Sequence, residues 1–453
     1  MKKILAALCI VVPAIFAFTG AYDNGLVPLP ANEQQPGDAA KGYTYLTTGD
    51  FLKSGLPYGA FVAANGKSKS NLLQREGKNA TLSHGYNMIE KDGIEMVIPT
   101  CLQCHAEEFD GQLVMGLGNT TLDFTRAGRR DVNTRINVLK TMAPKQYAAA
   151  EPFLTAFATT YPLLETEVRG VNPADGLAAV LAAHRNPKTL QWSDSAMLTL
   201  PDKLIPTDVP AWWLMKKKNA MFYTGFGRGD FGKFLMLSNL LTVTDTAEAR
   251  EVSSHFSDVL AYIRSLQPPA YPKDINQGLA KKGRRVFNDN CSGCHGTYGK
   301  KDSYPNLLVP SSVVQTDSAL CNALVENKQF IDWFNTSWFV QGDNPAQLVP
   351  FNGYIAPPLD GVWVTAPYMH NGSVPTIEAM LNSSIRPTYW SRDFKNPEYD
   401  YEAIGWKYEK HEEPHKKKVY NTTLPGYGNH GHYFGDGLST EERTAVIEYL
   451  KTL

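Results

Sequence analysis

Apolar residues recur at helical spacing in three stretches of the chain, and each stretch predicts an amphipathic helix. The three sets are Val259, Leu260, Ile263 and Leu266; Leu279, Val286 and Phe287; and Val446, Tyr449, Leu450 and Leu453. Ser439 and Glu442 precede the last set at the spacing of a capping box, which marks a helix N-terminus. The first set ends at Pro268-Pro269, where a helix cannot continue. The sequence therefore predicts a linker from residue 268 onward.

Other stretches follow different patterns. Residues 86–98 alternate around Asp92-Gly93, which predicts a β-hairpin. The segments "RDVNTRINVLKTM" and "ADGLAAVLAAHR" are helical in pattern, and an aromatic cluster follows in "PAWWLMKKKNAMFYTGFGRGDF". The region from Tyr22 to about Lys78 is rich in Gly, Asn and Pro, so we expect irregular chain that wraps the surface.

The first residues have the layout of a secretory signal peptide. Lys2 and Lys3 precede an apolar run, and Thr19-Gly20-Ala21 offers small residues for cleavage before Tyr22. The run is short for a membrane span, although an uncleaved anchor is the alternative. We therefore expect export to the periplasm or beyond, with no membrane span once the leader is removed.

Composition places the chain among ordinary globular proteins. Its 453 residues are 43% hydrophobic and 20% charged, with a formal net charge of −1. This balance gives no reason to expect nucleic acid as a partner. Five cysteines remain outside the leader, and Cys321 stands apart from the other four in an apolar helical setting that predicts a buried, inert thiol.

Those four cysteines belong to two Cys-x-x-Cys-His pentads, "CLQCH" and "CSGCH". This pentad is the attachment signature of c-type haem, in which the thiols bond the haem and the histidine binds the iron. A zinc ribbon would need its two cysteine pairs roughly 15–20 residues apart, and these are far more distant. We predict two covalently bound haem c groups. Their attachment residues are Cys101, Cys104 and His105 in the first site and Cys291, Cys294 and His295 in the second.

These features predict a mainly α fold with two cytochrome c-type haem domains. A signal peptide would occupy residues 1–21 and the irregular wrap 22–78. The first haem domain, 79–268, would be enlarged by insertions and a small β-hairpin, and the second would occupy 269–453. The two terminal helices of the second domain are those that a small cytochrome c packs beside its haem.

The ligand on the far side of each iron decides between electron transfer and chemistry. For the second iron the residues leave four candidates open: Met369, His370, His430 and His432. For the first iron no residue stands out. The candidates there are Met115, Met142, Met215, Met221, Met236, His184 and His255. Trp212 and Trp213 are candidate pocket residues that would line the first site, lie between the haems, or fill the core.

Three C-terminal segments resemble the di-haem c-type cytochromes of the rubber oxygenase-like branch of the di-haem cytochrome c peroxidase superfamily. They are "GYIAPPLDGVWVTAPYMHNGSVPTIEAML", "RPTYW" and "TTLPGYGNHGHYFG". The resemblance is strong from about Leu279 to Leu453 and otherwise rests on the first pentad. It implies that the second haem has two histidine ligands, the second being His432 after Gly431, and that His370 is structural. It also implies an open position at the first iron.

The function expected on these grounds is that of an exported oxidoreductase. The first haem would bind oxygen or peroxide and the second would relay electrons from a periplasmic redox partner. The alternative is an electron carrier with both irons six-coordinate. The chain is markedly shorter than the rubber oxygenases and shows no match to a channel for a long hydrocarbon, so the resemblance says little about substrate.

Overall fold

The computed structural model describes residues 25–127, 132–200 and 203–453. The expected signal peptide lies outside these ranges. About 40% of the chain is helical, and the strands are short. Within the described ranges, every helix is too short or too polar to cross a bilayer.

The helices are distributed along the whole chain. They are α1 Ala39–Thr48, α2 Tyr58–Asn65, α3 Val132–Met142, α4 Pro144–Thr160, α5 Ala174–Ala183, α6 Phe231–Leu235, α7 Thr246–Ser253, α8 Phe256–Ser265, α9 Gln277–Asn290, α10 Ser292–His295, α11 Ser311–Val314, α12 Ala319–Glu326, α13 Lys328–Asn335, α14 Ile377–Leu381 and α15 Thr440–Leu450.

The strands form small antiparallel sheets. They are β1 Val27–Pro28, β2 Leu56–Pro57, β3 Tyr86–Lys91, β4 Ile94–Pro99, β5 Ala106–Phe109, β6 Gln112–Met115, β7 Gly227–Gly229, β8 Leu307–Pro310, β9 Ala346–Leu348, β10 Gly353–Ile355, β11 Tyr389–Ser391, β12 Tyr399–Asp400, β13 Gly405–Trp406, β14 Glu409–His411 and β15 Tyr420–Asn421. The sheets have the orders β1-β8-β10, β14-β11-β15, β12-β13, β2-β4-β3, β5-β6 and β7-β9.

The segment expected to wrap the surface as irregular chain contains two helices instead. Asp38 caps α1 by accepting hydrogen bonds from the backbone N–H groups of Ala40 and Lys41, at 2.9 and 3.2 Å. The helix packs closely on α8, and a Cβ added at Gly42 would lie 2.0 Å from the Asp258 carbonyl oxygen. Gly42 is one of the glycines that suggested irregular chain, but in the structure its lack of a side chain lets α1 pack closely on α8.

The predicted hairpin is confirmed. Strands β3 and β4 pair from Tyr86↔Pro99 to Lys91↔Ile94. Asp92 and Gly93 have φ angles of 53° and 73°, which is the left-handed backbone that a tight two-residue hairpin turn requires. Strand β4 runs directly into the first pentad, so the hairpin fixes where that pentad begins.

The first and last helices of the C-terminal part pack against each other as predicted. Helix α9 meets α15 at Gly283, where an added Cβ would lie 1.8 Å from the Ala445 carbonyl oxygen. The capping box is present, since Ser439 and Glu442 exchange side-chain hydrogen bonds with each other's backbone N–H groups. The close contact between these two helices holds α9 in place ahead of the second pentad.

The two halves of the chain share one large core. Strand β1 pairs with β8, β7 pairs with β9, and the Phe234 ring stacks on Phe334 with centroids 5.3 Å apart. The expected boundary at residue 268 does fall between α8 and α9. However, residues from about 307 to 348 pack against the first half, so the boundary does not separate two independent cores.

Candidate haem sites

The second pentad follows α9 and forms α10. The backbone N–H of His295 donates to the Cys291 carbonyl at 3.0 Å, which turns the histidine inward. Its Nδ1 lies 2.8 Å from the Pro357 carbonyl oxygen. Because a carbonyl only accepts, Nδ1 carries the hydrogen and Nε2 keeps the lone pair that a metal needs. Burial lowers the pKa of His295, which favours this neutral form.

A second histidine faces His295. The ring centroids of His295 and His432 are 6.1 Å apart. A metal held between two imidazole nitrogens at about 2 Å from each places the ring centroids about 6 Å apart. Burial, and then the neighbouring His295 and Arg386, lower the pKa of His432 to about 3. Both imidazoles are therefore neutral and suited to bind one iron.

The backbone of the loop before α15 places His432. Gly431 has a φ of +83°, and an added Cβ there would lie 2.2 Å from the Gln315 carbonyl carbon. His432 itself has a φ of 49°, and its backbone N–H donates to the Val314 carbonyl at 2.7 Å. Only glycine fits at residue 431, because the loop both reverses direction and touches backbone there.

Arg386 holds the same loop from the side. Its guanidinium donates to the carbonyl oxygens of Asn429, Gly431 and His432 at 2.8, 2.7 and 3.3 Å. It also donates to the carbonyls of Ala379 and Met380 at 3.0 and 3.1 Å. One side chain thus ties the histidine loop to α14.

Between the two histidines lies a cavity of about 330 Å³. Its walls are mostly apolar and include Cys291, Cys294, Phe287, Leu359 and Val446. The two thiols are not joined in a disulfide. Two free thiols, two neutral imidazoles on opposite sides and an apolar hollow fit a covalently attached haem.

The other candidates for the second iron have different surroundings. His370 also lines the cavity, but its ring stacks on Tyr354 at 4.2 Å and its Nε2 lies 3.2 Å from the Tyr354 hydroxyl oxygen. The Met369 sulfur accepts a hydrogen bond from Ser373 Oγ at 3.6 Å. His430 is exposed at the surface. Of these residues, only His432 has its ring beside that of His295.

The first pentad lies between β4 and β5. Its histidine stacks on Trp212, with ring centroids 4.5 Å apart and an interplanar angle of 18°. Backbone bonds fix this pair, since Gly116 N–H donates to the His105 carbonyl and Trp212 N–H donates to the Gly116 carbonyl, both at 2.8 Å. Burial lowers the pKa of His105 to about 3, so it is neutral and able to bind a metal.

His105 differs from His295 in two respects. Its Nδ1 is buried, and no described residue forms a hydrogen bond with it. In the part of the chain that the structure describes, no second histidine ring lies beside it as His432 lies beside His295. The two thiols are again free, and Asn172 Nδ2 donates to Cys104 Sγ at 3.2 Å. The residues fit one haem bound through a single histidine.

Several candidates for the far side of the first iron are engaged elsewhere. His184 Nδ1 lies 2.8 Å from the Ser193 carbonyl oxygen, and its ring stacks on Trp192. His255 stacks on Tyr45 and pairs with Glu251 at 3.4 Å. Met142 is 79% exposed. The remaining methionines are Met115 and Met221, which are half-buried, and Met215 and Met236, which are buried in the large core.

One short segment contacts both candidate sites. Trp212 stacks on His105, while its neighbours Ala211 and Leu214 line the cavity of the second site. Trp213 is fully buried, and its Nε1 donates at 2.8 Å to the carbonyl of Asp360, a residue that also lines this cavity. Of the two tryptophans, Trp212 is the one that stacks on a pentad histidine.

Sequence reasoning missed the residues that orient the ligands. Arg386, Pro357 and Asn172 act through hydrogen bonds to residues distant in the chain, and no local spacing announces such contacts. In the sequence, only the family resemblance of the "RPTYW" segment, which begins at Arg386, pointed to this residue.

Comparisons with known proteins agree with this geometry. A family model for cytochrome c matches residues 280–330, which contain the second pentad. A second model, described as RoxA-like, cytochrome c-like, matches residues 353–391, which contribute the facing wall of the cavity. Both matches support a c-type cytochrome of the RoxA-like type. Such domains imply covalently bound haem c.

Two curated relatives of this cytochrome come from Sinorhizobium fredii (strain NBRC 101917 / NGR234). Uncharacterized protein y4iJ is 32% identical over 256 residues, covering 42% of this chain and 41% of the relative. Uncharacterized protein y4iM is 26% identical over 252 residues, covering 52% of this chain and 56% of the relative. The cytochrome thus spans about half the length of the relatives it matches. Its place in the wider peroxidase superfamily stays a prediction.

Proposed function

We propose that this protein is an exported di-haem cytochrome in which the two sites have different tasks. The C-terminal site, with His295 and His432, would relay electrons. The N-terminal site, with His105, would be where an oxidant such as oxygen or peroxide is taken up. When bound, haem c supplies an iron that cycles between ferric and ferrous states and can hold small ligands at an open position.

One observation carries the assignment, namely the difference between the two histidine sites. Two imidazoles 6.1 Å apart at the C-terminal site leave no position for an added ligand. At the N-terminal site, His105 stacks on Trp212 and no second histidine ring lies beside it among the described residues. Trp212 fixes the plane of the His105 ring, and the buried surroundings exclude water from it.

An electron carrier with both irons six-coordinate is the second candidate, and one contact favours it. Cys101 of the first pentad packs against the large core that contains Met236, the first residue of the turn Met236–Leu241. Met236 is only 1% exposed. A thioether ligand from this turn would close the first iron.

The test is a spectrum of the holoprotein, oxidised and then reduced under carbon monoxide. The proposal expects two haems per chain, a high-spin EPR signal from one of them, and CO binding to half the haem. Two low-spin haems that ignore CO would favour the carrier. In that case the Met236→Ala variant would gain a CO-binding haem, whereas Met142→Ala, at an exposed methionine, would not.

A further inference from the structure

Basic side chains gather next to the C-terminal site. Six basic and two acidic residues lie between positions 281 and 302, a net charge of +4, whereas the whole chain carries −1. All six basic residues are exposed, and together they are called the basic surface below. They are Lys281, Lys282, Arg284, Arg285, Lys300 and Lys301.

Two segments contribute to this surface. Four of the cations lie on the outer face of α9, whose inner face packs against α15. The other two follow Gly299 in the loop after the second pentad. Arg284 Nη2 donates to the Tyr298 carbonyl at 3.0 Å and lies close to Gly299, so this loop is held against α9. The six charges therefore belong to one continuous surface.

The cations of the basic surface have no ion-pair partner among the residues that the structure describes. Across the described ranges, no ion pair involves any of its six cations. Asp302, one of the two nearby acids, pairs with Lys217 at 3.0 Å, outside the surface. The other acid is Asp289. The surface thus keeps a strong positive potential that is available to a partner.

The cavity of the second site opens beside the basic surface. Asn290 and Gly293 line the cavity and are exposed, so they lie at its mouth. Phe434 also lines the cavity and is 49% exposed, and its neighbour Tyr433 is 45% exposed. The acid closest in the chain to these two aromatic residues is Asp436. Its carboxylate accepts hydrogen bonds from the backbone N–H and the hydroxyl of Ser383. Exposed aromatic residues at an opening with charges alongside resemble the apolar core and charged rim of a protein interface.

We propose that the basic surface docks an acidic redox protein, which exchanges electrons with the C-terminal haem through the cavity mouth. This inference rests on the relay proposed for that haem. Each transfer moves one electron, so that one centre is oxidised and the other reduced, and no bond forms or breaks. Attraction between unlike surfaces speeds the encounter and weakens as salt screens it.

The experiment measures haem reduction by stopped flow with two protein donors, a reduced plant-type ferredoxin, which is strongly acidic, and a reduced basic cytochrome c. The test variant is Lys281→Glu with Lys282→Glu. The matched control is Lys67→Glu with Lys69→Glu, which reverses two exposed charges in the first half of the chain. Dithionite, a small inorganic reductant, reports whether the haem can accept electrons at all.

The proposal expects reduction of the wild type by ferredoxin to slow with rising ionic strength. The test variant should be at least tenfold slower than wild type at low salt, and the control variant within twofold. A rate independent of salt, equal rates in both variants, or faster reduction by the basic donor would overturn the docking proposal. Failure of dithionite to reduce the second haem would instead overturn the relay.

An anionic membrane is the other class of partner that a basic surface can attract. Co-sedimentation with vesicles of equal parts phosphatidylcholine and phosphatidylglycerol distinguishes it. The proposal expects no binding at physiological salt. Binding that is lost in the Lys281→Glu, Lys282→Glu variant, together with a ferredoxin rate independent of salt, would assign the surface to membranes.

Discussion

Replacing Arg386 by glutamine should loosen His432 from the second iron. Three of the five backbone carbonyls that this guanidinium bonds belong to residues 429–432. Hydrogen bonds from a charged group contribute about 1.5–3 kcal/mol each, and we take about 1 kcal/mol for each of these contacts because the side chain is only half-buried. The loop would lose about 3 kcal/mol of support, which is roughly a hundredfold in the equilibrium between bound and detached His432.

The assay is a titration of the ferric protein with imidazole, followed by the EPR signal of the second haem. Imidazole competes with His432, so its apparent affinity should rise by up to about a hundredfold in Arg386→Gln. Arg443→Gln is the control, because Arg443 bonds the carbonyls of Gly435 and Asp436, just beyond the histidine. Equal imidazole affinities in wild type and Arg386→Gln would refute the reasoning that Arg386 positions the ligand.

Three further predictions follow from the packing and the two sites. His432→Ala should open the second iron to CO, whereas His370→Ala should leave that iron low-spin. CO binding by His370→Ala and not by His432→Ala would show that His370 is the ligand. Gly283→Ala should lower the free energy of unfolding by about 3 kcal/mol or more, because its new methyl group meets backbone of α15 and cannot be relieved by a rotamer change. Gly278→Ala, in the first turn of the same helix, would meet only the Asn276 side chain, at 3.3 Å, so it should change the free energy of unfolding by less than about 1 kcal/mol, and urea titrations with unchanged slope measure both. Cys101→Ser should leave the first haem attached through one thioether, which a shifted pyridine haemochrome band would report; an unshifted band would show that this thiol does not bond haem.

Local signals in the sequence predict the elements next to the second pentad. The stripe before it and the capping box at Ser439 depend only on residues a few positions apart, so they predict α9 and α15 correctly. The hairpin at Asp92-Gly93 is equally local, since left-handed backbone at two adjacent residues is a property of the turn itself. The pentads predict the haem attachment residues for the same reason.

Only the tertiary structure decided which side chain faces each histidine. The rings of His295 and His432 are adjacent although the residues lie more than a hundred positions apart, because Gly431 touches the backbone at Gln315 and Arg386 ties the loop to α14. Composition likewise could not reveal that Gly42 packs α1 on α8. Contacts between distant segments depend on the whole fold, whereas spacing along the chain reports only on neighbours. The sequence alone thus determined the cofactor chemistry, and the fold determined how the two sites differ.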